Sequence, residues 1–221
     1  MFGNKPQELF VKICGITNLD DALHAVRCGT DALGFVFHEE SPRFISHYHA
    51  AEIVRKLPDH ISKIGVFVHA DRKFIHEVVK RINLSAVQLY GNEGPDDLVN
   101  YETSVIKAVR VGEGFDVETL RNYIVDAFLL DTHQKGQYGG TGKTFDWNNA
   151  VRAKEYGRVI LSGGLSPENI EAAVRFVQPY GVDVSSGVEA SPGKKDPAKV
   201  KEFIARAKSI PMDYGEQEDE E

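Results

Sequence analysis

Short apolar segments alternate with longer helical patterns along almost the whole chain, and this alternation limits the possible folds more than any other feature. The eight strand candidates are residues 10–14, 32–37, 63–68, 86–90, 105–111, 127–131, 158–162 and 182–186. The helical patterns are residues 18–29, 49–57, 71–82, 95–102, 116–124, 146–156, 166–177 and 196–207. Strands that alternate with helices predict a parallel sheet with right-handed crossovers. Eight such units fill a closed barrel, so the pattern predicts an α/β fold of the (β/α)8 TIM-barrel type.

A doubly wound open sheet is the alternative architecture. A dinucleotide-binding sheet of that kind carries GxGxxG after its first strand, whereas residues 15–20 read GITNLD. A length of 221 residues also suits one barrel domain. We therefore expect a single domain at residues 1–207, followed by an acidic, disordered tail at residues 208–221.

The composition is that of a globular protein, with 42% hydrophobic and 27% charged residues. No apolar run approaches the ~20 residues that span a bilayer, and the N-terminal residues lack the features of a signal peptide. We expect a cytoplasmic protein without a membrane partner. The net charge is −7, and residues 216–221 contain five acidic side chains, so the body of the chain is nearly neutral. This balance argues against nucleic acid as a partner.

The chemistry of a barrel of this kind collects where its strands end. Cys14 ends the first strand, and alternation places Lys12 on the same face, where a cation favours the reactive thiolate. Asp131 ends the sixth strand, where a carboxylate is costly to bury unless it is paired, protonated or functional. Arg43, after the second strand, has a planar guanidinium that can bind a carboxylate or phosphate through two hydrogen bonds. The alternatives are a core cysteine, a loop-capping aspartate and a solvated surface arginine.

Glycine-containing turns follow the last three strands. Those at residues 161–170 and 182–196 match the usual phosphate site of such barrels, because glycine lets backbone N–H groups approach an anion. The turn at 137–147 predicts a mobile lid beyond Asp131. It is not a GxxxxGK[ST] loop, since Gln137 stands where the first glycine belongs. The two cysteines form no CxxC or paired Cys/His pattern, so we expect neither a disulfide framework nor a structural metal.

At these positions the chain resembles the phosphoribosylanthranilate isomerase family. The resemblance is carried by VKICGIT (11–17), GFVF (34–37), SPR (41–43), GVFV (65–68), VQLYG (87–91), LLD (129–131), GGTGKTFDW (139–147), SGGL (162–165), DVSSGVE (183–189) and PGKKD (192–196). It implies an enzyme of tryptophan biosynthesis that converts N-(5′-phosphoribosyl)anthranilate to 1-(2-carboxyphenylamino)-1-deoxyribulose 5-phosphate. This Amadori rearrangement proceeds by general acid/base catalysis and requires no metal or other cofactor.

The resemblance also implies residue roles. Asp131 matches the general acid that protonates the ribose ring oxygen, and Cys14 matches the general base that removes the C2′ proton. Arg43 matches a residue near the anthranilate carboxylate. The implied substrate-binding residues are Arg43, Gln88, Tyr90, Gly163, Gly164, Asp183, Ser185, Ser186 and Gly187, of which the glycines and serines fall in the phosphate loops. We expect a phosphorylated small-molecule substrate and a monomer or homodimer.

One motif departs from the family pattern. The family commonly reads QLHG where this chain has Tyr90 in place of the histidine. Tyrosine can donate a hydrogen bond and stack on an aromatic ring, but it cannot carry a positive charge. We therefore expect the substitution to alter carboxylate affinity or substrate preference.

Four other functions compete with the isomerase. A metal-dependent sugar-phosphate epimerase would use histidines and carboxylates at its strand ends, and an aminoaldose isomerase of the imidazole pathway would have aspartate at position 14. A catalytically silent phosphosugar-binding barrel is a third. The fourth, a redox sensor, would pair Cys14 with a resolving cysteine, but Cys28 lies on a helix face predicted to point into the core.

Overall fold

The computed structural model describes residues 8–112, 114–131 and 147–213. Within them, eight parallel strands form a closed barrel in chain order. The strands are β1 Phe10–Cys14, β2 Ala32–Val36, β3 Ser62–Phe67, β4 Ala86–Leu89, β5 Ser104–Arg110, β6 Ala127–Asp131, β7 Val159–Ser162 and β8 Gly181–Val184. Because β1 pairs with both β2 and β8, the sheet has no open edge. The predicted (β/α)8 barrel is confirmed.

Alternation along each strand separates the side chains that enter the barrel from those that lie beneath the helices. In β1, Val11 and Ile13 belong to the main apolar core, whereas the Lys12 ammonium reaches across the interior to Gln88 of β4. A separate apolar cluster fills part of the interior, made of Ala32, Ile64, Ala86, Ile106, Ala108, Ala127, Leu129 and Ile160. The barrel is therefore a packed core in which polar side chains near Lys12 are the exception.

The helices surround this barrel, and four of the six α-helices in the described ranges begin at side-chain caps. They are α1 Leu19–Arg27, α2 His47–Val54, α3 Arg72–Ile82, α4 Asn148–Ala153, α5 Ile170–Val177 and α6 Pro197–Lys208. The caps precede α1, α2, α3 and α6. The side chains of Asn18, Asp71 and Asp196 each accept a backbone N–H from the first turn of the helix that follows. Such caps satisfy backbone donors that have no partner within the helix. Among the described residues, every helix is too short or too polar to reach from one face of a lipid bilayer to the other.

Three predicted helices differ most from the structure. Residues 95–102 and 116–124 form only the short 3₁₀ helices Pro95–Leu98 and Val117–Asn122, which bury one and two side chains respectively. These segments have too few apolar residues to hold a longer helix against the barrel. The third, α5, begins four residues after Ser166, because the Asn169 side chain accepts the Ser166 N–H and holds residues 166–169 in a turn.

The chain after β8 and at the end of α6 also packs against the barrel. Glu189–Ser191 (β9) and Lys194–Lys195 (β10) form a small antiparallel ribbon. Beyond the predicted boundary at residue 207, Lys208 completes α6 and Ile210 is buried. The predicted tail from 214 onward and residues 132–146, which include most of the predicted lid, lie outside the described residues.

Candidate active site

Two groups of polar side chains line the carboxyl ends of the strands. We call Cys14, Lys12, Asp183 and Lys195 the Cys14 side, and Asp131, Tyr90 and Arg110 the Asp131 side. Cys14 is the last residue of β1 and Asp131 is the last residue of β6. Strands β7 and β8 lie between them in the barrel, and the two predicted phosphate turns follow these strands.

On the Cys14 side, a buried lysine lies directly beneath the thiol. The Lys12 ammonium is fully buried and donates to Gln88 Oε1 and Asp183 Oδ1, each at 2.8 Å. The Ser162 hydroxyl donates to the other oxygen of Asp183 at 3.0 Å. A side chain cannot be added at Gly34 beside this group, since its Cβ would lie 2.7 Å from Cys14 Sγ and 3.0 Å from Lys12 Cε. The glycine therefore provides the space in which the thiol and the lysine meet.

Burial and charge act in opposite directions on the Cys14 thiol. Burial raises the pKa of Cys14, Lys12 lowers it, Asp183 raises it and Lys195 lowers it, and the balance is a raised pKa. Burial lowers the pKa of Lys12, but Asp183 and the Cys14 thiolate outweigh burial, so this pKa is raised and the amine stays charged. Lys12 thus favours the thiolate, as the sequence predicts, but burial outweighs this effect.

Arg43 reaches this region from the segment after β2 and is held by a carboxylate of the chain itself. Its Nε and Nη2 donate to the two oxygens of Glu189 at 2.8 and 2.7 Å, and Lys195 donates to the same carboxylate at 3.0 Å. Burial raises the pKa of Glu189, but the hydrogen bond from Arg43 and the charge of Lys195 outweigh it and leave that pKa lowered. Two cations share one anion, so the cluster keeps a net positive charge.

Arg43 also lies close to the loop that follows Cys14. Gly15 has a φ of +77°, and a Cβ there would meet Arg43 Cδ at 2.7 Å and Ser185 Oγ at 3.0 Å. Only glycine fits this backbone conformation and this contact without strain. The turn after β1 therefore brings Cys14, Arg43 and Ser185 to one part of the mouth.

On the Asp131 side, three side chains form a hydrogen-bonded chain. The Tyr90 hydroxyl donates to Asp131 Oδ2 at 3.0 Å, and Arg110 Nε donates to the Tyr90 oxygen at 2.7 Å. The Arg110 guanidinium lies 5.0 Å from the centre of the Tyr90 ring. Burial raises the pKa of Tyr90, so its hydroxyl remains a donor at neutral pH.

The turns after β7 and β8 have the backbone that an anion site requires. Gly163 and Gly164 both have left-handed φ values, of +84° and +66°. A Cβ on Gly187 would lie 1.9 Å from the Leu165 carbonyl oxygen, so the two turns pack directly against each other. Within the described ranges, Ser185 Oγ and His47 Nε2 are the buried side-chain polar atoms that lack a hydrogen-bond partner. The Ser185 hydroxyl is therefore available to a bound ligand.

The structure brings most of the predicted site residues to the mouth, but several have different partners from those expected. Gln88 and Asp183 hold Lys12, Tyr90 contacts Asp131, and Arg43 is paired with Glu189. Sequence reasoning missed four contributors, namely Arg110, Ser162, Glu189 and Lys195. In the part of the chain that the structure describes, no three His, Cys, Asp or Glu side chains are grouped as metal ligands.

Comparison with known proteins decides the family. The family model described as N-(5′-phosphoribosyl)anthranilate (PRA) isomerase matches residues 11–206. The chain belongs to the PRA isomerase family. The enzyme of that name from Geobacter metallireducens is 51% identical over 199 residues, which cover 90% of this chain and 98% of the relative.

Solved structures of PRA isomerases have the same fold. The enzyme from Thermotoga maritima aligns with a TM-score of 0.83 at 46% identity and covers 91% of this chain and 100% of its own. A PRA isomerase in complex with reduced 1-(o-carboxyphenylamino)-1-deoxyribulose 5-phosphate gives a TM-score of 0.81 at 42% identity over the same shares of the two chains. The resemblance found in the sequence motifs is confirmed.

Proposed function

We propose that this chain catalyses the Amadori rearrangement of N-(5′-phosphoribosyl)anthranilate, with Asp131 as general acid and Cys14 as general base. The observation that carries the proposal is their placement in a PRA isomerase family member. The two groups end β6 and β1 at one mouth, with the glycine turns of β7 and β8 between them. This arrangement suits a substrate whose phosphate is bound at the two turns while its ribose lies between the acid and the base.

Asp131 acts in the first step. Its carboxyl donates a proton to the ribose ring oxygen as the C1′–O bond breaks, and the nitrogen lone pair forms the C1′=N bond of a protonated Schiff base. The carboxylate that results accepts a hydrogen bond from the Tyr90 hydroxyl. This bond strengthens as negative charge develops on Asp131, so it stabilises the transition state more than the ground state.

Cys14 acts in the second step. Its thiolate removes the C2′ proton, the C–H electron pair forms C1′=C2′, and the electrons of the C1′=N bond return to nitrogen to give an enolamine. Tautomerisation moves the enol proton to C1′ and leaves the C2′ ketone of 1-(2-carboxyphenylamino)-1-deoxyribulose 5-phosphate. The buried Lys12 ammonium stabilises the thiolate that this step requires.

The remaining side chains bind the substrate. The backbone of Gly163, Gly164, Ser186 and Gly187, with the unpartnered Ser185 hydroxyl, holds the phosphate end. The two hydrogen bonds to Glu189 fix the orientation of the Arg43 guanidinium. In this orientation Arg43 faces the anthranilate carboxylate. We retain a cytoplasmic location and a monomer or homodimer as predictions, which cell fractionation and analytical ultracentrifugation test.

The decisive test is a fluorescence assay with freshly prepared N-(5′-phosphoribosyl)anthranilate. We expect the anthranilate emission to fall much faster than in the spontaneous reaction, and Asp131→Asn to lose most of this activity because an amide cannot donate the proton. Treatment with EDTA should leave the rate unchanged. No loss of emission above the spontaneous rate would exclude the isomerase, and EDTA inhibition reversed by a divalent metal would favour the metal-dependent epimerase.

A further inference from the structure

On the Asp131 side, the family resemblance implies a substrate-binding role for Tyr90 and no role for Arg110. Tyr90 stands where the family commonly has histidine, and Arg110 belongs to no motif of the resemblance. Arg110 is the last residue of β5 and is paired in register with Asp131 of β6. The sheet therefore holds the backbones of Arg110 and Asp131 side by side, while Tyr90 follows β4 on the other side of β5.

The hydrogen bonds among these three residues run in one direction. Arg110 donates to the Tyr90 oxygen at 2.7 Å, and Tyr90 donates its own proton to Asp131 Oδ2 at 3.0 Å. The guanidinium lies over the tyrosine ring as well, so two contacts join Arg110 to Tyr90. A phenol that accepts a hydrogen bond from a cation becomes a stronger donor, because the bonds of such a chain polarise one another.

We propose that Arg110 is a positioning residue of the isomerase reaction, which acts on Asp131 through the Tyr90 hydroxyl. The pair orients the carboxyl and stabilises the carboxylate that forms when the ribose ring opens. The Tyr90 hydroxyl, polarised by Arg110, donates its hydrogen bond at a position where a protonated histidine would carry a positive charge of its own. The inference rests on the proposed function, because it assigns to the pair an effect on the proposed general acid.

The position of Arg110 makes it suitable for substitution. Its side chain is exposed, and with Tyr90 it borders a cavity of about 390 Å³. Truncation of Arg110 therefore opens space to solvent and leaves the barrel core unchanged. An alternative role for this arginine is a direct contact with the anthranilate carboxylate, which would raise KM whether or not Tyr90 is present.

A double-mutant cycle in the full-length chain separates the two roles. We expect Tyr90→Phe to lower kcat by about 10- to 100-fold, since it removes the donor that orients the acid. Arg110→Ala should lower kcat by roughly 3- to 10-fold with KM nearly unchanged. In the Tyr90→Phe background, Arg110→Ala should have no further effect, because the hydroxyl that connects the arginine to Asp131 is already missing.

Arg158→Ala is the matched control, since Arg158 lies 5.6 Å from the centre of the Tyr180 ring next to the amino ends of β7 and β8. It removes a similar arginine–tyrosine contact away from the mouth, and kcat should not change. Effects of Arg110→Ala that are equal in both backgrounds, or that appear mainly in KM, would overturn the proposal. If the wild type is active and Asp131→Asn is not, these outcomes refute only the role of Arg110. An inactive wild type would refute the proposed function itself.

Discussion

The Cys14 side and the Asp131 side stabilise their reactive groups by different means. On the Cys14 side the thiol is 7% exposed, and its neighbours Lys12 and Asp183 are 0% and 5% exposed, so full charges interact there with little solvent between them. On the Asp131 side the carboxyl and the Tyr90 phenol are half-buried and Arg110 is exposed. Electrostatic effects are strong in the first environment and screened in the second.

The contrast explains how one barrel can hold a base and an acid at the same mouth. A base that is a thiol needs a nearby cation to form the thiolate, and burial makes that cation effective. A general acid must release its proton in the reaction and regain it afterward. Partial access to solvent and the hydrogen bond from Tyr90 suit this exchange better than full burial does. The substitutions below test whether the two sides differ in this way.

The largest expected effect comes from removing the proposed base. Cys14→Ala should lower kcat by about 10²–10⁴-fold and leave KM nearly unchanged, because a general base acts on the transition state. Steady-state fluorescence kinetics measure both constants. The control is Cys28→Ala, since Cys28 follows α1 and contacts His24 rather than the mouth. A Cys14→Ala enzyme with full turnover would place the base on another residue.

The second prediction contrasts the stability of the two sides. Lys12→Met should lower the free energy of unfolding by about 3–5 kcal/mol, because it leaves Asp183 buried without its counter-ion. Arg110→Ala on the exposed side should change it by less than about 1 kcal/mol. Denaturant unfolding of both variants measures the contrast.

A second variant keeps this test valid if Lys12→Met does not fold. In Lys12→Met with Asp183→Asn both charges are absent, so most of the lost stability should return. If Lys12→Met and Arg110→Ala lowered the free energy of unfolding equally, burial would not distinguish the two sides.

The third prediction concerns pH. A thiol must lose its proton to act as a base, and burial raises the pKa of Cys14. Below that pKa, the rate of Cys14 alkylation by iodoacetamide in a Cys28→Ala background should rise about tenfold per pH unit, with a midpoint above the ~8.5 of a free thiol. Alkylation reports the thiol alone, whereas kcat/KM also depends on the proton that Asp131 must carry. A midpoint below pH 7 would show that Lys12 and Lys195 outweigh burial.

The periodicity of the sequence is sufficient to predict the barrel and the inward side of its strands. Residues two apart on a strand share a face, so the alternation alone places Lys12 beneath Cys14. The helices predicted at 95–102 and 116–124 are wrong, because a short helical spacing does not reveal how little apolar surface the segment buries. The missing information is tertiary packing.

The partners of the site residues cannot be predicted in the same way. The Arg43–Glu189 pair joins residues 146 positions apart, and Tyr90 meets Asp131 across 41 positions. Such pairs depend on how far each strand is staggered around the barrel, which the sequence pattern of one strand does not specify. Arg110 could not be predicted as a site residue. It belongs to no motif, and an arginine at the end of a strand has the same sequence pattern as an ordinary surface residue.

Among the substitutions near Cys14, the smallest effect is expected at Arg43, which is proposed to contact the substrate far from the reacting carbons. Arg43→Ala should raise KM by about 10-fold and change kcat little, since a bond to a remote carboxylate stabilises ground and transition states alike. Glu189 keeps Lys195 as its counter-ion in this variant, so the fold should be preserved. Arg43→Lys keeps the charge but loses the bidentate hydrogen bonding to Glu189, and it should give an intermediate KM. If kcat fell while KM stayed constant, Arg43 would act on the charge of Cys14, and its effect would then belong to the buried electrostatics of that side.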